Sequence, residues 1–313
     1  MYFMKKILFE SKNIYKANMH CHTTVSDGAL TPEEIKKNYK EQGYSVVAFT
    51  DHNLLKPQNH LNDDGFLAIN ACEIDINQKD KEKGEFYGAR KTYHFNFYAT
   101  QPDMVETPPL PGFDYSDLKA LNKYIKARVK EGFLVCYNHP YWSLQDYSDY
   151  IGLKKLFAME IYNHNCELEG YYGHHPQVYD DMLRMGHKIF CFATDDNHNE
   201  KGRPVGDDSF GGYIQINSPA LSYSDIMDSL ISGDFYSSQA PEINEISMDG
   251  NTLYIKSSNV ELIAVYTAGR RCYSTQGTDI NEAAFELKGN EKYIRIMCRD
   301  KNGRNANSNA YWL

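Results

Sequence analysis

The sequence predicts an α/β fold, with a parallel sheet or barrel over residues 1–240 and a small antiparallel β domain over residues 241–313. Short apolar runs alternate with amphipathic stretches from residue 17 to about 240, as in successive βαβ units. After Pro241 the pattern changes to alternating strands separated by turn residues. Candidate metal ligands follow nearly every apolar run, which is where an α/β barrel places its active site.

The elements can be placed in chain order. A first strand should end near Met19, and a helix should span residues 31–43, because Thr31-Pro32-Glu33-Glu34 forms a capping box with proline at the first helical position. Later strands are expected at 45–49, 66–69, 93–99, 133–136, 157–161 and 189–192, and in the β domain at 253–255 and 294–296. Segments 75–90 and 101–114 are expected to be insertions.

Composition limits the possible functions. The chain has 313 residues, 42% hydrophobic and 24% charged, which suits a large enzyme domain with a smaller companion. A net charge of −9 argues against a general nucleic-acid surface. No stretch approaches the length of a membrane span, and the N-terminal apolar run is too short for a signal peptide, so we expect a cytoplasmic protein without a membrane anchor. The β domain could pack against the barrel or form a homo-oligomer.

The candidate ligands are histidines and carboxylates near the ends of seven consecutive strands. In chain order they are His20, His22, Asp27, Asp51, His52, Glu73, His94, His139, Glu160, His164, Asp196 and His198. In an extended segment, an H-x-H or D-x-H pair points both side chains to the same side. Burying so many of these groups together without a cation would cost several kcal/mol for each unpaired group. The pattern therefore indicates a cluster of divalent metal ions.

Three segments resemble motifs of the PHP (polymerase and histidinol phosphatase) domain: residues 18–28, residues 50–53 and Asp196-Asn197-His198. The resemblance extends over about residues 17–240, and residues 233–238 with the trailing β domain are similar to the CehA/McbA-like branch. It implies a distorted (βα)7 TIM-like barrel with two to three divalent ions of zinc, manganese or iron. An aspartate ligand at Asp27 favours manganese or iron over zinc.

The resemblance also implies a ligand set. One ion would be held by His20, His22, Glu73 and Asp196, a second by Glu73, His94 and His139, and a third by Asp27, His52 and His198. Two ions about 3.5–4 Å apart could share a hydroxide that attacks a phosphoryl or acyl group.

Four residues are candidates for catalysis beside the metals. Arg203 could stabilise developing negative charge, although an ordinary loop arginine is an equally good interpretation. His164 or His198 could protonate the leaving group. Asp51 could orient an imidazole or accept a proton from water, or it could cap the following helix.

The leading functional hypothesis is hydrolysis of a small phosphorylated substrate, such as a nucleotide or a sugar phosphate. An amide, ester or carbamate hydrolase on the same metals is the first alternative. A non-catalytic module with structural metals is the second, because only catalytic sites keep an open coordination position.

Overall fold

The computed structural model describes residues 5–79, 90–200 and 207–313. In the first part of the chain the elements are β1 (Lys6–Glu10), β2 (Ile14–Asn18), α1 (Pro32–Glu41), β3 (Val46–Phe49), a 3₁₀ turn (Asn59–Leu61), β4 (Leu67–Asn77), β5 (Thr92–Ala99), α2 (Leu118–Lys130), β6 (Phe133–Tyr137), α3 (Tyr147–Tyr150), β7 (Ala158–Asn163), α4 (His164–Leu168), α5 (Pro176–Arg184) and β8 (Phe190–Thr194). They are followed by β9 (Tyr213–Asn217), α6 (Tyr223–Ser232), β10 (Phe235–Ser238), β11 (Ile243–Asp249), β12 (Thr252–Thr267), β13 (Cys272–Glu286), β14 (Tyr293–Arg299), β15 (Asn305–Ser308) and β16 (Tyr311–Trp312).

Strands β2 to β8 lie side by side in chain order within one large sheet. The pairs from β2 to β4 and from β6 to β8 are parallel, whereas β5 is antiparallel to both of its neighbours. A parallel bridge between Cys21 and Asn197 joins the segments that follow β2 and β8. The α/β class is therefore confirmed. The (βα)7 barrel is not confirmed, because β5 breaks the parallel order and only a 3₁₀ turn lies between β3 and β4.

Local signals in the sequence account for several elements. The capping box at α1 is present: Glu34 N–H donates to Thr31 Oγ1 at 3.2 Å, and Thr31 N–H donates to Glu34 Oε2 at 2.8 Å. β4 extends to Asn77, so it enters the segment expected to be an insertion. Residues 80–89 of that segment lie outside the described residues. β1 was not expected from the sequence.

The strands enclose one shared apolar core. Buried side chains of β2, β3, β4, β5, β6, β7, β8 and β9 contact one another in a single cluster that also includes Ile226 and Leu230 of α6. For side chains of β2 and β8 to share one cluster, the run of strands must curve. The curvature brings the segments after β2 and β8 together, and the candidate site lies at this edge.

The C-terminal strands are joined to the preceding part of the chain. β1 pairs with β11, and β10 pairs with both β9 and β15, so hydrogen bonding continues across residue 240. Arg295 on β14 forms a buried bidentate pair with Asp180 on α5, at 2.6 and 2.7 Å. The division into domains at residues 240/241 stays a prediction. None of the helices in the described ranges is long and apolar enough to cross a membrane.

Candidate metal centre

Strand direction explains how the ligand-type residues meet. The carboxyl ends of neighbouring parallel strands lie at the same edge of a sheet. The segments after β2, β3, β6 and β8 bring candidates to this edge, and β4 contributes Glu73 from within the strand. Because β5 is antiparallel to β4, its beginning lies at this edge. His94, near the start of β5, therefore faces Glu73, with Nδ1 3.1 Å from Oε1.

The buried carboxylate of Glu73 lies at the centre of the site. The histidine ring nitrogens near its two oxygens belong to His52 and His94 at 3.1 Å, His139 at 3.3 Å, His20 at 3.4 Å and His22 at 3.6 Å. Burial alone would raise the pKa of Glu73, but the charges of His94 and His20 outweigh it and hold the pKa well below its usual range. Glu73 is thus an ionised carboxylate shared by several histidines.

Asp196 completes the deepest part of the cluster. Its Oδ1 lies 3.0 Å from Nε2 of both His20 and His22, and its Oδ2 lies 3.8 Å from Nε2 of His139. Burial, together with the nearby charge of His198, lowers the pKa of His22 to about 3. His22 is therefore neutral near pH 7, which is the form of imidazole that binds metals.

A third group lies at the mouth of the site. Asp27 Oδ2 is 3.5 Å from His52 Nε2 and 3.7 Å from His198 Nε2, and Asp27 Oδ1 is 3.6 Å from His22 Nδ1. The Asp27 side chain is 53% exposed, in contrast to 1% for Glu73. This group is consequently more accessible to solvent than the other two.

The residues fit divalent cations. Ligand atoms lie within 4.8 Å of one another in four overlapping groups. Each of four residues belongs to two of these groups, namely Glu73, His20, His22 and His52. The Nδ1 atoms of His22, His52 and His94 are buried and form no hydrogen bond in the described structure, although Glu73 oxygens lie 3.1 Å from those of His52 and His94. Buried polar atoms in native proteins normally have a partner, and a metal ion would supply one. Imidazole and carboxylate together suit zinc, manganese or iron.

Glu160 orients the site from behind. Its Oε1 lies 2.7 Å from His20 Nδ1 and accepts a hydrogen bond from Thr194 Oγ1 at 2.7 Å. Its Oε2 accepts from the His139 backbone N–H at 2.9 Å and from Asn163 Nδ2 at 3.0 Å. A carboxylate in this position holds the His20 ring with Nε2 directed at the cluster. Its place on a strand that ends near the site was the only sequence signal for it.

Asp208 holds the segment that carries His198, and nothing in the sequence indicated it. Its Oδ2 accepts the backbone N–H groups of His198 at 2.7 Å and Asn199 at 2.8 Å. The His198 Nδ1 atom lies 2.9 Å from the carbonyl oxygen of Asp196. A proton on Nδ1 makes that hydrogen bond, which leaves the Nε2 lone pair directed towards Asp27.

Two predicted catalytic residues are not brought into the cluster. The Asp51 carboxylate accepts hydrogen bonds from the Thr23 N–H and the Ser26 hydroxyl, both at 2.8 Å, so it holds the turn that precedes Asp27. His164 lies 2.9 Å from the Tyr162 hydroxyl through Nδ1, and it packs so closely on Gly211 that a Cβ there would come within 2.2 Å. Neither side chain lines the central cavity. Arg203 lies outside the described residues.

The groups of candidate metal ligands open into a cavity of about 310 Å³. Seven of the candidate ligands line it, namely Asp27, His52, Glu73, His94, His139, Asp196 and His198. The other lining residues are Trp142, Asn165, Cys166, Glu169 and Glu200. A small molecule in this cavity would lie next to the candidate metal ligands.

Comparison with known proteins gives a family match. A family model described as the PHP domain matches residues 18–203. Among solved structures, a two-domain protein from Bacteroides vulgatus containing a predicted PHP-like metal-dependent phosphoesterase is 15% identical, with 98% of each chain covered and a TM-score of 0.48. An amidohydrolase from Chromobacterium violaceum, with bound sulfate and no metal, is 14% identical over 61% of this chain and 89% of its own, with a TM-score of 0.39. No curated protein matches.

Proposed function

The chain belongs to the PHP domain family, and on that premise we propose that it is a metal-dependent hydrolase that cleaves phosphoesters of small molecules, such as a nucleotide or a sugar phosphate. One observation carries the proposal. Eight other ligand-type side chains converge around the shared carboxylate of Glu73, which lines a cavity of about 310 Å³. A site with adjoining cation positions and an open cavity suits phosphoryl chemistry better than a closed structural site does.

The proposed ligand groups are the ones that the family resemblance implies. They differ in part from the sets of neighbouring ligand atoms in the structure, which place His22 also with Asp27, His52 and His198, and His139 with His20 and Asp196. His20, His22, Glu73 and Asp196 would hold one ion, Glu73, His94 and His139 a second, and Asp27, His52 and His198 a third. Such ions would supply Lewis acidity to a phosphoryl oxygen and lower the pKa of a water molecule. His198 lines the cavity with a partly exposed ring, and it is the proposed proton donor for the form of the site in which the third ion is absent and Nε2 carries a proton.

Other residues of the protein would position the ligands and stabilise charge. Glu160 and Asp208 hold His20 and His198 in place, so the site requires little rearrangement when substrate arrives. Arg203 stays a candidate for charge stabilisation. This proposal does not require a distorted TIM-like barrel. The finer assignments, namely the (βα)7 barrel, the CehA/McbA-like branch and a cytoplasmic location, stay predictions.

Metal analysis and a substrate panel test the proposal. The purified protein is analysed for bound metal, stripped with a chelator and reloaded with Mn²⁺ or Zn²⁺. Phosphomonoesters, phosphodiesters and carboxyl esters are then assayed in parallel. We expect at least two ions per chain and phosphate release that chelation abolishes and metal restores. Fewer than two ions would contradict the cluster, and turnover of carboxyl esters alone would favour carbonyl chemistry on the same residues.

A further inference from the structure

We propose that the amide of Asn165 and the indole N–H of Trp142 bind a substrate oxygen in the cavity, as recognition donors beside the metal ligands. This inference deepens the proposed function and rests on it. Both side chains line the cavity that holds the candidate ligands. Neither side chain makes a hydrogen bond with another described residue.

Asn165 carries the stronger evidence, because it is a buried polar side chain with no partner. Only 8% of the residue is exposed. Its backbone N–H donates to the carbonyl oxygen of Asp195 at 2.9 Å, which fixes it beside the segment that carries Asp196. The amide stays accessible from the cavity, so an oxygen of a ligand there can replace the water that the amide would otherwise bind. An amide that faces a polar cavity is therefore well placed for a ligand.

Hydrogen bonds of the nearby Asn163 side chain hold the backbone around Asn165 in place. The side chain of Asn163 accepts a hydrogen bond from the Cys166 N–H at 3.0 Å, which starts the short helix α4. The same Asn163 side chain donates to Asp196 Oδ2 at 3.0 Å. The backbone around Asn165 is thus tied directly to a candidate metal ligand, and its position relative to the cluster is constrained.

Trp142 forms another part of the wall. Its ring packs edge to face against His94 and His139, with ring centroids 5.4 and 5.1 Å away. A tryptophan in contact with two candidate ligands lies beside the position of a bound substrate. The indole N–H is a donor without charge, so it can approach an anionic oxygen without altering the charge of the cluster.

The other lining residues are less suited to bind an anion. Glu169 and Glu200 carry carboxylates, which repel a phosphoryl oxygen. Cys166 is buried, and burial raises the pKa of its thiol well above the ordinary value, so it is a neutral and weak donor. Among the described lining residues outside the ligand set, Asn165 and Trp142 are the ones that offer neutral N–H groups.

The ligand class follows from these donors. Two N–H groups without positive charge, next to cation sites, suit an oxygen of a phosphoryl group that also contacts the metal ions. A hydrogen bond to a charged oxygen contributes enough to change affinity roughly tenfold to a hundredfold. Loss of either donor should therefore weaken binding of phosphate itself, without any requirement for turnover.

Binding of inorganic phosphate to the metal-loaded full chain tests this inference. Isothermal titration would compare wild type with Asn165→Ala, and with Trp142→Phe, which keeps an aromatic ring but removes the N–H. Cys166→Ala is the control, since it shortens a lining side chain next to Asn165 without removing an N–H donor. Metal content is measured for every variant. We expect unchanged metal content, phosphate binding at least about tenfold weaker in the two donor variants, and affinity within about twofold of wild type in the control.

Three results would overturn the inference. The first is a donor variant that binds phosphate as tightly as wild type. The second is a donor variant that loses metal, because the residue would then support the metal ligands. The third is a wild-type protein that binds no phosphate. A wild type that binds phosphate through both donors but hydrolyses no phosphoester would contradict the proposed function and leave these two residues as an anion site.

Discussion

Glu73→Gln is the most informative single change, because it removes one negative charge and keeps nearly the same shape. The Glu73 oxygens lie 3.1 to 3.6 Å from ring nitrogens of several histidines. At an effective dielectric constant of about 20, the negative charge of the Glu73 carboxylate and one unit of positive charge about 3.3 Å away interact by roughly 5 kcal/mol. The amide oxygen of glutamine would still face the cluster and recover part of this energy. We expect at least about 100-fold weaker binding of Mn²⁺, which corresponds to about 2.8 kcal/mol.

Titration calorimetry of the metal-stripped protein with Mn²⁺ would measure this effect, with ion content checked by mass spectrometry. Asp75→Asn is the matched control, because Asp75 lies two residues further along β4 and its carboxylate bonds to Asn53 and Asn77 instead of the histidines. The control should bind the same number of ions as wild type. If Glu73→Gln binds as many ions as the control, with affinity within about twofold, Glu73 is not the shared ligand that the geometry indicates.

Three further predictions concern the surroundings of the cluster. His139→Ala should lower turnover by about tenfold to a hundredfold through loss of metal positioning, and unchanged turnover measured in steady-state assays would remove His139 from the site. Asp208→Ala should release the backbone of His198 and remove the most exposed ion, while the deeper ions stay bound. Asp208→Asn keeps a hydrogen-bond acceptor, so it should lose less of that ion. Equal ion counts by mass spectrometry in wild type and both variants would refute this prediction. Arg295→Met should destabilise the protein by about 3–5 kcal/mol in urea unfolding, because it removes both short hydrogen bonds to the buried carboxylate of Asp180 and leaves only the half-exposed Arg184, at 3.9 Å. A loss under about 1 kcal/mol would contradict the importance of this ion pair.

Local sequence patterns predicted the parts of the fold that depend on neighbouring residues. The capping box at Thr31 and the apolar runs of the strands are such features, and the structure contains them close to the expected positions. The antiparallel direction of β5 could not be predicted in this way. It depends on how two strands pair across residues 78–91, and an apolar run is the same whether its strand runs up or down.

The candidate site also combines features that local sequence predicts with features that depend on long-range contacts. The sequence by itself determined the ligand types and their spacing, because His20 and His22, or Asp196 and His198, are adjacent on one side of an extended segment. Only the tertiary structure decided the roles of the buried carboxylates. It directed Asp51 to a turn and Glu160 to the His20 ring, 140 positions away in the chain. The physical reason is that a carboxylate bonds to the donors that the fold places beside it, and donors so distant in sequence leave no local pattern.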